Sequence, residues 1–382
     1  MRRLVLLASA VVFVDTTFYA AITPLLPDLA RDFSLSKGGA GLLAAAYPAG
    51  TFAGALPGGW LAARAGVRAT VLLGLALMSV ASVGFAVATS VGLLDAARFV
   101  QGFGGACSWA GALGWVAGAA PRERRAELIG TAMGAAIAGA LCGPVLGAAA
   151  GLVGHEPVFS AVAVLGVALM AWAARTPAAR PVAGGSLRAL AAAATDRRLV
   201  AGMWLVTVPG LLFGTIGVLA PLRLGGLGAG ATAIAATFLV AAGIEALISP
   251  LVGRIADRRG RRAPSLAGLA GAAACMAILP WPGAAWSLAA AVVLATPVIG
   301  ILWTPAMALL ADGAEAHGLE QGLAFALMNL AWSVGQATGN AGGARLAESL
   351  GDRVPYLALA AVCAATFALV RAASRRRAPV AV

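Results

Sequence analysis

Ionisable side chains are scarce inside the apolar stretches of this 382-residue chain, and the few that occur there are the ones that could do chemistry. Asp15 lies twelve residues past Arg3, about 18 Å along a helix at ~1.5 Å per residue, which puts it near the middle of an apolar run. Glu245 precedes Gly253, at the end of another run, by eight residues, or about 12 Å. Arg98 sits a short way inside a third run. A charged group in hydrocarbon costs at least ~2.5 kcal/mol on insertion scales, so each one demands a partner or a function. A carboxylate whose access to water alternates between two sides can take up a proton on one and release it on the other. Asp15 and Glu245 are therefore the expected proton-coupling or cation-recognition groups, with Arg98 tuning one of them. The competing reading is a permanent pair, Asp15 with Arg98 or Glu245 with a nearby amide, that only locks helices together. Asp95, three residues before Arg98, is spaced to pair with it, although its place also suits an acid in the first turn of a helix. Glu127 reads as a charge of the same capping kind.

Uncharged polar and aromatic groups surround these positions in the pattern of a ligand cavity. Asn329, Ser333, Gln336 and Asn340 recur at spacings of four, three and four, which places them on one helix face. Such a stripe either lines a cavity or bonds to another helix, the latter worth about 0.6 kcal/mol per bond. Tyr19 stands one turn from Asp15, and Tyr47, Phe52, Trp109, Trp303 and Trp332 are further mid-helix aromatics. Their rings could hold an apolar or cationic substrate by stacking and cation–π attraction, or pack in the core and against lipid. The only histidines, His155 and His317, fall in loops on opposite sides, so no histidine metal site is expected. Cys107, Cys142, Cys275 and Cys363 lie within predicted helices, in no chelating spacing. There is no Gly-x-x-x-x-Gly-Lys-[Ser/Thr] phosphate loop. Neither cofactor nor metal is expected, and without a nucleophile and base the chain does not read as an enzyme.

The elements that must position these groups follow from composition. Hydrophobic residues make up 61% of the chain and charged ones 11%, more apolar surface than a water-soluble fold of this size can hide. The chain is thus an all-α integral membrane protein, its apolar stretches long enough to cross ~30 Å of hydrocarbon. Twelve spans are predicted, at 4–27, 39–62, 69–91, 94–119, 127–152, 157–174, 199–221, 231–252, 264–282, 285–310, 321–345 and 354–372. An even count puts both termini on one side, and the short loops of that side carry 21 of the 27 basic residues. By the positive-inside rule that side is the cytoplasm of a cell inner (plasma) membrane. The net charge of +12 is then explained by topology and the lipid bilayer; no nucleic acid partner is expected. The first ten residues suggest a signal peptide with cleavage after Ala10, but the apolar core there is too short and the run continues, so a first membrane helix is expected.

A duplicated phrase organises the whole. Gly59-Trp-Leu-Ala-Ala-Arg64-Ala-Gly66-Val-Arg68 is repeated 194 positions later as Gly253-Arg-Ile-Ala-Asp257-Arg258-Arg-Gly260-Arg261-Arg262, and the same offset superposes Gly74 on Gly268 and Pro27 on Pro221. Two related six-helix sets are expected. Between them runs a stretch rich in arginine, proline and glycine, with linker composition. The expected units are an N-terminal bundle at 1–175, a linker at 176–198 that includes a possible short helix at 188–195, and a C-terminal bundle with a basic tail at 199–382.

These residues resemble the major facilitator superfamily, and within it the twelve-helix drug:proton antiporters. The repeated loop is similar to the superfamily's Gly-x-x-x-Asp-Arg-x-Gly-Arg-Arg signature, complete from Gly253 to Arg262 and lacking its aspartate in the first copy, where Ala63 stands. Arg98-Phe-Val-Gln101-Gly102 resembles the Arg-x-x-Gln-Gly element used in proton coupling. Gly130, Gly139, Gly143-Pro144 and Gly147 match the antiporter motif except for its last glycine, here Ala148, and Asp15 through Pro24-Leu-Leu-Pro27 is similar to the first-helix element. The Asn329, Trp332 and Gln336 phrase also resembles vesicular amine transporters. The resemblance implies two bundles with pseudo-twofold symmetry and a cavity between them lined by Tyr19, Gln101, Trp109, Asn329, Trp332 and Gln336. It implies multidrug efflux, the export of an amphipathic or cationic small molecule against protons by a monomer. The loop residues Gly59, Arg64, Gly66, Arg68, Gly253, Asp257, Arg258, Gly260 and Arg261 would gate it, asymmetrically because of Ala63. The alternatives are a proton symporter or facilitator for a nutrient or metabolite, and a transport-inactive sensor or scaffold.

Overall fold

The computed structural model describes residues 1–121, 124–178, 196–316 and 321–375. Among them every regular element is helical: α1 (Arg2–Ala20), α2 (Ile22–Asp32), α3 (Lys37–Arg64), α4 (Val67–Ala86), α5 (Val91–Ala119), α6 (Arg125–Val153) and α7 (His155–Arg175) in the first half. The second half holds α8 (Arg197–Gly226), α9 (Ala231–Arg259), α10 (Arg262–Ile278), α11 (Ala285–Gly300), α12 (Trp303–Ala316), α13 (Gln321–Ala337), a π turn (Thr338–Gly342), α14 (Gly343–Leu350) and α15 (Arg353–Arg375). Residues 179–195, with the possible short helix, and His317 lie outside the described residues, as does the side chain of Asp257.

These helices form twelve spans, three of them interrupted for reasons visible in the sequence. Proline has no N–H to return to the carbonyl four residues back. Pro24 thus leaves the Ala20 carbonyl free and the first span breaks at Ala21, between α1 and α2. Pro305 does the same to Ile301, where α11 gives way to α12. In the eleventh span the ladder widens into the π turn beside Gly339, Gly342 and Gly343, and the Thr215 hydroxyl donates to the Gly339 carbonyl at 3.0 Å. That span therefore runs on through α14 to Leu350, five residues beyond its predicted end.

Nine helices among the described residues are long and apolar enough to cross a bilayer by themselves. α10 has 17 residues, α5 carries Asp95, Arg98 and Gln101 among many glycines, and the eleventh span is split by its π turn. Leu152, Val164, Leu247, Trp286 and Leu369 are more than two-thirds exposed and form the lipid-facing exterior.

Packing repeats the sequence duplication. In the first half the first span packs on the fifth, the second on the fourth and the third on the sixth; in the second half the seventh packs on the eleventh, the eighth on the tenth and the ninth on the twelfth. Contacts across the halves obey the same relation, joining the second span to the eleventh, the fifth to the eighth and the first to the seventh. Backbone geometry at the repeated loops agrees. Gly66 and Gly260 adopt φ of +89° and +79°, a region other residues enter at a cost, and each turns one span directly into the next.

Candidate functional site

Asp15 is buried in α1, 1% exposed. Its Oδ2 accepts two hydrogen bonds, from the Tyr47 hydroxyl and from Trp109 Nε1, both at 2.9 Å. Its Oδ1 has no partner among the described residues. Glycines make this convergence possible. A Cβ at Gly105 would lie 2.8 Å from Asp15 Oδ1 and 2.9 Å from the Tyr47 hydroxyl, and one at Gly102 would fall 1.9 Å from the Tyr47 carbonyl. Only bare backbone lets α3 and α5 approach closely enough for Tyr47 and Trp109 to reach one carboxylate.

Arg98, also 1% exposed, makes no direct ion pair with Asp15 and none with Asp95 among the described residues. Its guanidinium donates to Gln101 Oε1 at 2.7 Å and to the Tyr19 carbonyl at 3.3 Å. It lies 5.2 Å from the Tyr47 ring centre and 5.9 Å from that of Tyr19, a cation–π arrangement in a dry setting. Tyr47 therefore stands between acid and base, its hydroxyl on Asp15 and its ring beneath Arg98. A permanent Asp15–Arg98 salt bridge is not what this geometry holds.

The second half closes over this cluster. Gln336 Nε2 donates to the Tyr19 hydroxyl in a short bond, and Asn340 Nδ2 donates to the Ala44 carbonyl at 3.0 Å. Trp332 meets Tyr19 and Tyr47 edge-on, with centroids 5.6 and 6.4 Å apart. Of the polar stripe on the eleventh span, Gln336 and Asn340 thus bond across the halves. Ser333 turns its hydroxyl onto its own helix, to the Asn329 carbonyl, and Asn329 is half-buried. Four buried polar atoms at this interface lack partners among the described residues: Asp15 Oδ1, Arg98 Nε, Gln101 Nε2 and Gln336 Oε1. They are the capacity that a bound polar group or water would use.

Glu245 lies apart, on α9. It fills the space left by Gly300 at the end of α11, where a Cβ would meet its Oε1 at 2.5 Å. One turn further on, Trp303 stacks on Phe213 with planes 9° apart. Phe52 is half exposed on the outer surface.

The antiporter-motif glycines divide into two kinds. A Cβ at Gly139, Gly143 or Gly147 would lie 2.4 Å from the Phe13 carbonyl, 2.3 Å from Ala20 Cβ and 2.2 Å from the Ala21 carbonyl, so α6 seats on the first span through them; Gly130 meets nothing within 4 Å. At the repeated loops Arg64 folds over its own Trp60, 4.8 Å from the ring centre. Arg261 bonds the Ala308 carbonyl and Asp312 within its own half, while Arg68 and Arg258 are exposed.

Of the residues expected from sequence to share one cavity, Asp15, Tyr19, Arg98, Gln101, Trp109, Trp332 and Gln336 come together. Tyr47 is the addition at the centre, signalled in sequence only as one mid-helix aromatic among several.

Comparison with known proteins agrees with this architecture. The profile of the Major Facilitator Superfamily matches residues 7–320. An MFS-type transporter of Metarhizium rileyi (strain RCEF 4871), ppzB, is 33% identical over 165 residues, 42% of this chain and 33% of that one. Quinolone resistance protein NorA of Staphylococcus aureus (strain MRSA252) is 28% identical over 146 residues, 38% of each chain. The matched stretches thus span only about a third of these relatives' lengths. Among solved structures, the E. coli xylose transporter XylE in a partially occluded inward open conformation superposes with a TM-score of 0.76 at 15% identity, over 97% of this chain and 96% of that one. A POT family transporter in complex with a thioalcohol-conjugated peptide gives 0.75 at 13% identity, over 97% and 96%. With the family profile covering most of the chain and the fold shared along nearly its whole length, this protein belongs to the Major Facilitator Superfamily and is a membrane transporter rather than an enzyme.

Proposed function

We propose that this transporter exports an amphipathic or cationic small molecule in exchange for protons, rocking its two bundles about the Asp15 cluster. The observation that carries the reading is the Asp15 carboxylate: buried where the halves meet, held through one oxygen by Tyr47 and Trp109 and unpartnered at the other. Access from one side delivers a proton to the free oxygen; access from the other removes it and leaves a negative charge for a substrate to satisfy. Arg98, one tyrosine ring away, biases that exchange. Glu245, with Trp303 and Phe213 nearby, is the second carboxylate open to protons or to a cationic group. The glycine strip of α6 resembles that of exporters, and likeness to a quinolone resistance protein supports a drug-like cargo. Trp332, Gln336 and Gln101 line the cavity once the halves part, and the repeated loops gate it. The units at 1–175 and 199–382 move as a monomer about the linker at 176–198, in a plasma membrane with both termini in the cytoplasm.

The test is proton movement in proteoliposomes, read by a trapped pH dye across a panel of lipophilic cations, neutral drugs and metabolites, with wild type and Asp15→Asn. Antiport requires a substrate-evoked pH change that the variant loses. Flux without a proton signal in the wild type would replace antiport by facilitated diffusion.

A further inference from the structure

On the face opposite the basic loops, the halves are tied by groups more than three hundred residues apart. α14 carries Glu348 onto the first turn of α3. Its Oε2 accepts from the Gly38 N–H at 2.7 Å and from the Ser36 hydroxyl at 3.2 Å. Lys37 Nζ stands 2.5 Å from Oδ1 of Asp352, just beyond α14. The first N–H groups of a helix lack internal partners and its dipole favours negative charge there; α3 is 28 residues long. Glycines seat the contact: a Cβ at Gly38 would lie 2.3 Å from Glu348 Oε2, and one at Gly41 would lie 2.4 Å from Ala344 Cβ and 2.6 Å from the Asn340 carbonyl. Arg345, one turn back on α14, is 3.8 Å from the other oxygen of Glu348.

Among the described residues, the basic face shows no counterpart drawn from the first half. Residues 59–68 include no acid, Arg64 is folded over Trp60, and Arg261 spends its bonds within the second half. The contacts identified between the halves, from Trp332 and Gln336 through Asn340 to Glu348, run from mid-depth toward the opposite face.

We propose that Glu348 on the N-terminus of α3, with the Lys37–Asp352 pair, is a latch that holds the transporter shut on the face opposite its basic loops, so that its resting state opens toward the basic face. α3 belongs to one half and α14 to the other, so alternating access must break both ties. Water reaches them readily, since the Lys37 and Asp352 side chains remain 44% and 31% exposed. The latch needs alternating access only; it needs neither proton exchange nor a particular substrate.

The test is a distance between nitroxide labels at G92C and G283C, exposed positions at that face in the first and second halves. It is measured by pulsed electron resonance in lipid nanodiscs, without substrate, with the four native cysteines replaced by alanine. The parent should give mainly the short distance. E348Q/D352N should shift the ratio of long to short distances roughly tenfold toward long, the scale of one charge-assisted hydrogen bond. K37D should shift it the same way, and K37D/D352K should restore it. Should E348Q/D352N not purify as a monodisperse species, K37D and its repair carry the test. An unchanged distribution in the variants, or a K37D effect that D352K does not reverse, would overturn the latch while leaving proton antiport untouched.

Discussion

Adding one methyl group at two glycines of the same motif should have opposite consequences. In Gly143→Ala the new Cβ falls 2.3 Å from Ala20 Cβ and 2.9 Å from the Ala20 carbonyl carbon, where ordinary contact begins at about 3.4 Å. The obstacle is a methyl and backbone, neither of which can rotate away, so α1 must back off by about 1 Å. Overpacking of this kind costs about 1–3 kcal/mol. The shift also reaches function, because Tyr19 precedes Ala20 and holds both the 3.3 Å bond from Arg98 and the bond from Gln336. In Gly130→Ala the Cβ enters open space, and the gain in helix propensity, up to ~1 kcal/mol, is the main effect. Fluorescence-detected size exclusion after heating should rank G130A at or above wild type and G143A below it, and reconstituted G143A should transport roughly tenfold more slowly, as a lost kilocalorie or two at the site implies. Equal damage from both substitutions would refute the packing account and assign the motif's glycines some other role.

Tyr47→Phe removes one charge-assisted hydrogen bond from Asp15, about 1.5–3 kcal/mol, but keeps the ring beneath Arg98; substrate-evoked proton movement should fall about tenfold or more, and further in Tyr47→Ala. Gly66→Ala and Gly260→Ala each force a side chain into positive φ with extended ψ, 155° and 158°, a region nearly confined to glycine, at about 1–3 kcal/mol, and thermal stability in detergent should fall alike in both; a large difference would argue against equivalent loops. Thr215→Val takes one of two donors from the Gly339 carbonyl, which keeps the Gly343 N–H, a cost of about 0.5–1.5 kcal/mol; amide exchange across 338–343 should quicken while that of α10 stays the same.

Much of this architecture is written locally along the chain. Span length, the basic loops and the 194-residue repeat are properties of contiguous stretches, so they could be read before any contact was known. Pro24 and Pro305 supply the missing N–H at their breaks, although Pro48, Pro144 and Pro250 lie within helices that run on, and Gly66 and Gly260 mark their turns through a backbone conformation that suits glycine. Asp15 and Arg98 were conspicuous for the same reason: a charge in an apolar run is visible wherever it ends up pointing. What sequence could not supply was helix rotation and depth. Whether Asp15 pairs with Arg98 or is held off by Tyr47 depends on how closely α3 and α5 approach, which is decided by Gly50, Gly102 and Gly105 acting together. Along α6, Gly130 and Gly143 look alike in the motif and differ only in what faces them. Glu348 is one more polar residue on a short amphipathic stretch until α14 is seated against α3, 310 positions away. A helix carries its hydrophobic length in its own residues, whereas the partner of any one side chain is set by the packing of all twelve spans.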